Sequence, residues 1–162
     1  MIDVQIRPAT SNDIEALAVL KKPHLDRHRA AFAAIARQRI EAAPPDGSVL
    51  LVAAAQALVA QVYLAMAGTE TEPGSPNIQD LHVAEAVRGQ GIGRQLIWHC
   101  ETLAATHSFR RITISVNPTS NPGALALYQR LGYRDVGRPS YLDGVYDGNE
   151  DWVIDLAKTL DP

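Results

Sequence analysis

The strongest chemical signal in the chain is the run Arg88-Gly89-Gln90-Gly91-Ile92-Gly93-Arg94. Its place matters more than its glycine count, because it joins a strand ending near Val83 to a helix beginning near Ile92. Glycines let the backbone approach an anion closely, and the first free N–H groups of the following helix point at it with the positive end of the helix dipole behind them. A pyrophosphate fits such a site, and Arg88 and Arg94 add charge-assisted hydrogen bonds. The plainer reading is a tight strand-to-helix connection. Other phosphate motifs fail on residue type. A Rossmann fingerprint needs glycine where Arg94 stands and an acid about 20 residues further on, and no Asp or Glu occurs between Glu101 and Asp135. A Walker A loop needs Gly-Lys-Ser or Gly-Lys-Thr, whereas lysine occurs only at Lys21, Lys22 and Lys158. No His-Arg-Asp or Asp-Phe-Gly follows, which removes a kinase. Just upstream, Asp80 and His82 lie two apart on one strand and project to one face, opposite Leu81 and Val83.

The elements that must position these groups are legible from periodicity. Val4 and Ile6 alternate with polar residues as in a strand facing a core on one side, and the run stops at Pro8. Thr10 and Asp13 read as a capping box before a short helix with Ile14, Leu17 and Ala18. Residues 25–42 make a second helix, with Leu25, Phe32, Ile35 and Ile40 on its apolar stripe and Arg27, Arg29, Arg37 and Arg39 mostly outside it. Residues 48–55 and 58–66 read as an antiparallel pair, and 68–76 as an exposed loop. Beyond it strand and helix alternate. A strand at 77–83 precedes a helix striped by Ile92, Leu96, Cys100 and Leu103, and a strand follows with Ile112, Ile114 and Val116. Asn121 then caps a helix that has Pro122 at its first position, Leu127 and Leu131 on its buried side and Gly132 as its left-handed end. Strands at 133–136 and 152–156 complete the sheet. The order implies one α/β domain over residues 1–162, with a mixed, centrally parallel sheet.

Composition narrows the function. The chain has 162 residues, 46% hydrophobic and 20% charged, enough for one self-sufficient core. Its lone cysteine, Cys100, excludes an internal disulfide and points to a reducing, cytoplasmic location. No run approaches the ~20 apolar residues of a membrane helix, and Met1-Ile2-Asp3-Val4 lacks the basic and apolar regions of a signal peptide, so no membrane partner is expected. A formal charge of −3 is poor material for phosphate-backbone binding, so nucleic acid is not expected as a partner. His24 and His28 sit one helical turn apart, but no third ligand is assignable and no metal is expected.

Leu81-His82-Val83 followed by Arg88-Gly89-Gln90-Gly91-Ile92-Gly93 resembles the acetyl-CoA-binding motif of the GCN5-related N-acetyltransferase (GNAT) superfamily, in which Arg/Gln-x-x-Gly-x-Gly/Ala grips the cofactor pyrophosphate. Asn117, Asn121, Ala124, Tyr128 and Gly132-Tyr133 look like the family's next motif. The resemblance implies a GNAT-like domain, its sheet mixed and mostly antiparallel, with splayed central parallel strands flanked by helices. It implies that the pantetheine arm of acetyl-CoA lies in the gap as a pseudo-strand, bonded to backbone near Leu81 and Val83. It further implies that an Asn, Asn117 or Asn121, contacts that arm and that Tyr128 lies near the sulfur.

The implied activity is transfer of an acetyl group from acetyl-CoA to a primary amine in a ternary complex. An amine of pKa about 10.4 must lose a proton before it attacks, and the leaving thiolate must gain one or be stabilised. Tyr128 is the candidate acid at the sulfur. Asp80 and His82 are the local candidates for attracting and deprotonating the amine; the alternative is a surface carboxylate and a filler histidine on an open face. Residues 139–157 contain Asp143, Asp147, Glu150, Asp151 and Asp155 without Lys or Arg, either a solvated loop or a negative field for a cationic substrate. A small cationic amine is the leading acceptor class. A peptide or protein amine, or a CoA-binding regulatory module without turnover, are the rivals. Homodimers are common in the family.

Overall fold

The computed structural model describes residues 1–21 and 26–161. His24 and Leu25 lie outside the described residues.

Strand β1 (Gln5–Pro8) is followed by a 3-10 turn at Ser11–Asp13 and by α1 (Ile14–Leu20). The Asp13 carboxylate accepts from the Thr10 amide at 2.8 Å and from both terminal nitrogens of Arg7 at 2.7 and 2.9 Å, so the expected box opens this turn. A second 3-10 turn, Asp26–His28, leads into α2 (Arg29–Glu41). Strands β2 (Val49–Ala54), β3 (Leu58–Ala65) and β4 (Asn77–Val83) form an antiparallel run. Next come α3 (Ile92–Thr106), β5 (Arg111–Val116) and α4 (Pro122–Arg130). A two-residue strand β6 (Arg134–Asp135) precedes the hairpin β7 (Tyr141–Tyr146) and β8 (Asn149–Thr159).

The sheet order is β1-β2-β3-β4-β5-β8-β6, with β7 added on β8. Every pairing is antiparallel except β4 with β5, which join only at Asn77 with Thr113 and Ile78 with Ile114 and then part. Strand β2 is apolar on both sides because both faces are covered. Leu51 and Ala53 join Ile92, Leu96 and Cys100 of α3 in one core, while Leu50 and Val52 join Ile14 and Leu17 of α1 and Ala36 of α2 in another. Among the described residues no helix is long and apolar enough to cross a membrane.

Several local expectations change. The stripe of α2 that meets the sheet is Ala33, Ala36 and Ile40, because small side chains let the helix lie close; Ile35 is 40% exposed. The 68–76 loop is not wholly solvated. Glu72 is buried there between Arg111, at 3.1 Å, and Arg138, at 2.7 Å. The expected strand at 152–156 is an 11-residue strand paired with β7, an element that periodicity missed. The missed signal is Asp147-Gly148, with φ of 52° and 79°, the two left-handed residues of a tight hairpin turn.

Asp155 on β8, its side chain 1% exposed, accepts from Thr71 Oγ1, Ser115 Oγ and Tyr141 Oη, each at 2.7 Å, and from Arg138 at 2.9 Å. Replacing it with alanine leaves these donors without an acceptor and is expected to cost about 2–3 kcal/mol, read as a lower urea midpoint. Burial alone would raise the Asp155 carboxyl, but the hydroxyl and guanidinium donors outweigh it and hold it below the usual carboxylate range. Glu72 is likewise held low, chiefly by Arg111, and Asp13 by Arg7. A lowered folded-state value contributes stability that is present above the unfolded value and lost as pH falls through the folded one. The urea midpoint is therefore expected to hold above about pH 5 and to fall steadily below about pH 4.

Candidate active site

Between Val83 and α3 the chain makes a 3-10 turn at Glu85–Val87 and then the glycine run. Gly89 and Gly91 have φ of 77° and 81°, the left-handed region that side chains with a Cβ avoid. A Cβ at either would meet no protein atom within 4 Å, so conformation and the open space in front of the loop, rather than crowding, require glycine. The first bond of α3 runs from the Gln95 amide to Gly91 O at 3.0 Å. The amides of Ile92, Gly93 and Arg94 therefore have no helical carbonyl and are available to an anion. Gly93 sits beside Val83 Cγ2 and Leu81 Cδ2, 3.8 and 4.0 Å from where its Cβ would be, which holds the helix start against the end of β4. Two side chains of the run bond to backbone of this chain. Arg88 Nε donates to Val83 O at 2.9 Å, and Gln90 Oε1 accepts from the Ile2 amide at 2.8 Å. Arg88 Nε and Gln90 Oε1 thus brace the loop, while the terminal nitrogens of Arg88 and the amide nitrogen of Gln90 have no partner among the described residues.

Where β4 and β5 part, a cavity of about 1210 Å³ opens, lined by both strands, α4, α2 and the β7–β8 hairpin. Leu81, Asn117, Asn121 and Tyr128 all border it; Val83 and residues 88–94 stand outside this lining. Asn117 is committed at both ends of its amide. Its oxygen accepts from the Thr119 and Ser120 amides at 3.0 Å each, and its nitrogen donates to Asp151 at 2.9 Å. Asn121 caps α4 by accepting from the Ala124 amide at 3.3 Å, leaving its own N–H groups without a partner among the described residues. Tyr128 is 7% exposed, packed edge-on against Tyr133 at 6.3 Å. Among the described residues its hydroxyl has no hydrogen-bond partner, yet no buried polar side-chain atom is left unsatisfied, so the hydroxyl opens onto the cavity. Burial pushes it up to about 12. Tyr133, by contrast, is fully buried and donates to Glu101 at 2.8 Å, a structural contact.

The Asp80 and His82 pair needs correction. Between the Gln61–His82 and Tyr63–Gln79 pairs, Asp80 and Leu81 of β4 stand against the single residue Val62 of β3, a bulge at which Asp80 adopts φ 57°. Its oxygens are held by Lys21 Nζ and Arg39 NH1, each at 2.9 Å. Burial pushes Asp80 up, but these two cations outweigh it and keep the carboxyl below its ordinary value. Asp80 is therefore neither a free anion for a cationic acceptor nor a ready base. His82 faces Gln61 and lies outside the cavity lining. Sequence spacing could not reveal this, because the partners come from 59 and 41 residues away.

The acidic segment is partly a site wall. Asp143, Asp147 and Asp151 line the cavity, while Asp155 is absorbed by its own network. Asp143 is raised by burial and by the negative charge of Asp151. Asp147 is matched to His28 and Arg27, each at 3.3 Å. Cys100 is fully buried on α3 and its thiol is pushed up to about 12 by burial, a packing residue.

A family model described as acetyltransferase (GNAT) matches residues 13–133. No curated protein matches the chain. Solved structures share its fold from end to end. That of yncA from Salmonella typhimurium with its cofactor acetyl-CoA superposes with a TM-score of 0.73 at 17% identity, covering 99% of this chain and 95% of the other. Ribosomal-protein-alanine N-acetyltransferase from Brucella melitensis gives 0.71 at 22%, covering 96% and 99%. A spermidine N-acetyltransferase chimera of Vibrio cholerae SpeG and hSSAT gives 0.72 at 17%, covering 96% and 95%.

Proposed function

Because the chain belongs to the GNAT acetyltransferase family, and its members use acetyl-CoA as acetyl donor, we propose that it transfers the acetyl group directly to the primary amine of a small molecule in a ternary complex. The observation that carries this reading is the pairing of one open anion cradle with one splayed gap. The free amides at the start of α3, after Gly89 and Gly91, suit a diphosphate, and the gap between β4 and β5 suits the extended arm that follows it. Leu81 and the Asn121 amide border that gap, and the backbone from Leu81 to Val83 runs from it toward the cradle.

Tyr128 stays protonated at neutral pH and donates a hydrogen bond to the departing sulfur. Asp143, whose proton affinity burial and Asp151 raise, is the carboxylate placed to take the amine's proton, with Asp151 adding negative potential. That wall favours a positively charged amine over a neutral one. The single buried thiol fits a reducing, cytoplasmic setting.

Isothermal titration with acetyl-CoA tests the cradle, and free-thiol release across an amine panel tests turnover. Saturable binding with amine-dependent thiol release is expected. Binding without release from any amine would assign the chain as a CoA-binding module instead, and no binding would remove the reading.

A further inference from the structure

The cation pair that removes Asp80 from base duty has a use of its own. Lys21 and Arg39 bring two positive charges to one carboxylate, and among the described residues no other acid pairs with either. Each contributes a single N–H to Asp80, so among the described residues most donors of the ammonium and the guanidinium remain unspent. Both heads are held in place by rings. Lys21 Nζ lies 4.4 Å from the centre of Phe32 and the Arg39 guanidinium carbon 4.3 Å from that of Tyr63. Their side chains are only 21% and 19% exposed, and both border the cavity. One cation is enough to neutralise the Asp80 charge. Here a residue with a Cβ is kept at φ 57°, and the cluster still carries one net positive charge on the wall of a cavity that also holds the acids Glu70, Asp143, Asp147 and Asp151.

We propose that Lys21 and Arg39 bind a carboxylate on the acceptor, so that the substrate is a small amine that also carries a carboxylate, an amino acid in the simplest case. This rests on the acetyl transfer proposed above. The two ends of such a molecule meet different elements of the one cavity, the amine Asp143 and Asp151 on the hairpin and the carboxylate the Lys21–Asp80–Arg39 cluster. Tyr146 lines the same cavity as both groups, and its hydroxyl is raised first by burial and then by the charges of Asp143, Asp151 and Asp80. A bipolar pocket of this kind selects by charge at both ends, rejecting simple polyamines at the cationic wall.

The test uses matched acceptors: a set of α-amino acids and ω-amino carboxylates, each beside its carboxamide and its decarboxylated amine, with free thiol as the readout. The best carboxylate-bearing amine is expected to exceed both counterparts by about tenfold or more in kcat/KM, mainly through KM. Arg39→Gln should erase that preference, and Arg39→Lys should retain part of it. Should Arg39→Gln fail to fold, Lys21→Gln carries the same comparison. The proposal is overturned if carboxylate-free amines are the better substrates throughout, or if the preference survives in the glutamine variants. Titration with acetyl-CoA separates the two levels. A chain that binds it and acetylates amines regardless of a carboxylate loses only this inference, and one that does not bind it loses the transferase reading as well.

Discussion

Replacing Gly91 with valine is expected to weaken acetyl-CoA binding by about a hundredfold or more while lowering the unfolding midpoint by only a few degrees. Gly91 caps α3 at φ 81°, where a β-branched side chain is a conformational outlier. Such a residue costs about 1–2 kcal/mol in place, so the loop relaxes toward ordinary backbone angles and turns the amides of residues 92–94 away from a common point. The side chain also enters the open space before the loop, where the diphosphate is proposed to sit. Gly74 provides the control. It has φ 77° and equally open surroundings, but lies in the β3–β4 connection. Gly74→Val should show a similar loss of stability with acetyl-CoA affinity unchanged. Calorimetric titration of the two variants separates backbone strain from the anion site, and a Gly91→Val protein that binds as wild type does would dismantle the cradle.

The second large effect is at the sulfur. Tyr128→Phe keeps the ring that packs on Tyr133 and removes only the hydroxyl that opens on the cavity. Loss of a positioned proton donor is expected to lower kcat by about 10²–10³ with acetyl-CoA still bound. With the hydroxyl at about 12, the wild-type rate should show no downturn from Tyr128 ionisation below about pH 10. A phenylalanine variant within threefold of wild-type kcat would assign Tyr128 to packing alone.

The cradle was legible because its requirements are local. Left-handed backbone at Gly89 and Gly91, the Asn121 cap before Pro122 and the left-handed end at Gly132 each follow from one residue's own allowed angles or from a partner three residues away. The helix and strand limits around them follow from apolar periodicity in the same way, and the strand at Asn77–Val83 falls where alternation put it. The β7–β8 hairpin was equally local and carried its signal in Asp147-Gly148.

The acceptor end could not be read that way. Nothing within reach of Asp80 along the chain tells whether its carboxylate stands free or is claimed, since Lys21 and Arg39 arrive on α1's end and α2. The same holds for Asp155, one of five acids in a segment that itself contains no Lys or Arg, which gains four donors once Arg138 and three hydroxyls close on it. By itself the sequence determined the family, the order of elements and the shape of the anion loop, because those depend on short-range sterics and hydrophobic period. Only tertiary structure decided which charges are spent and which still face the cavity, because electrostatic pairing acts through space between residues that the chain holds far apart.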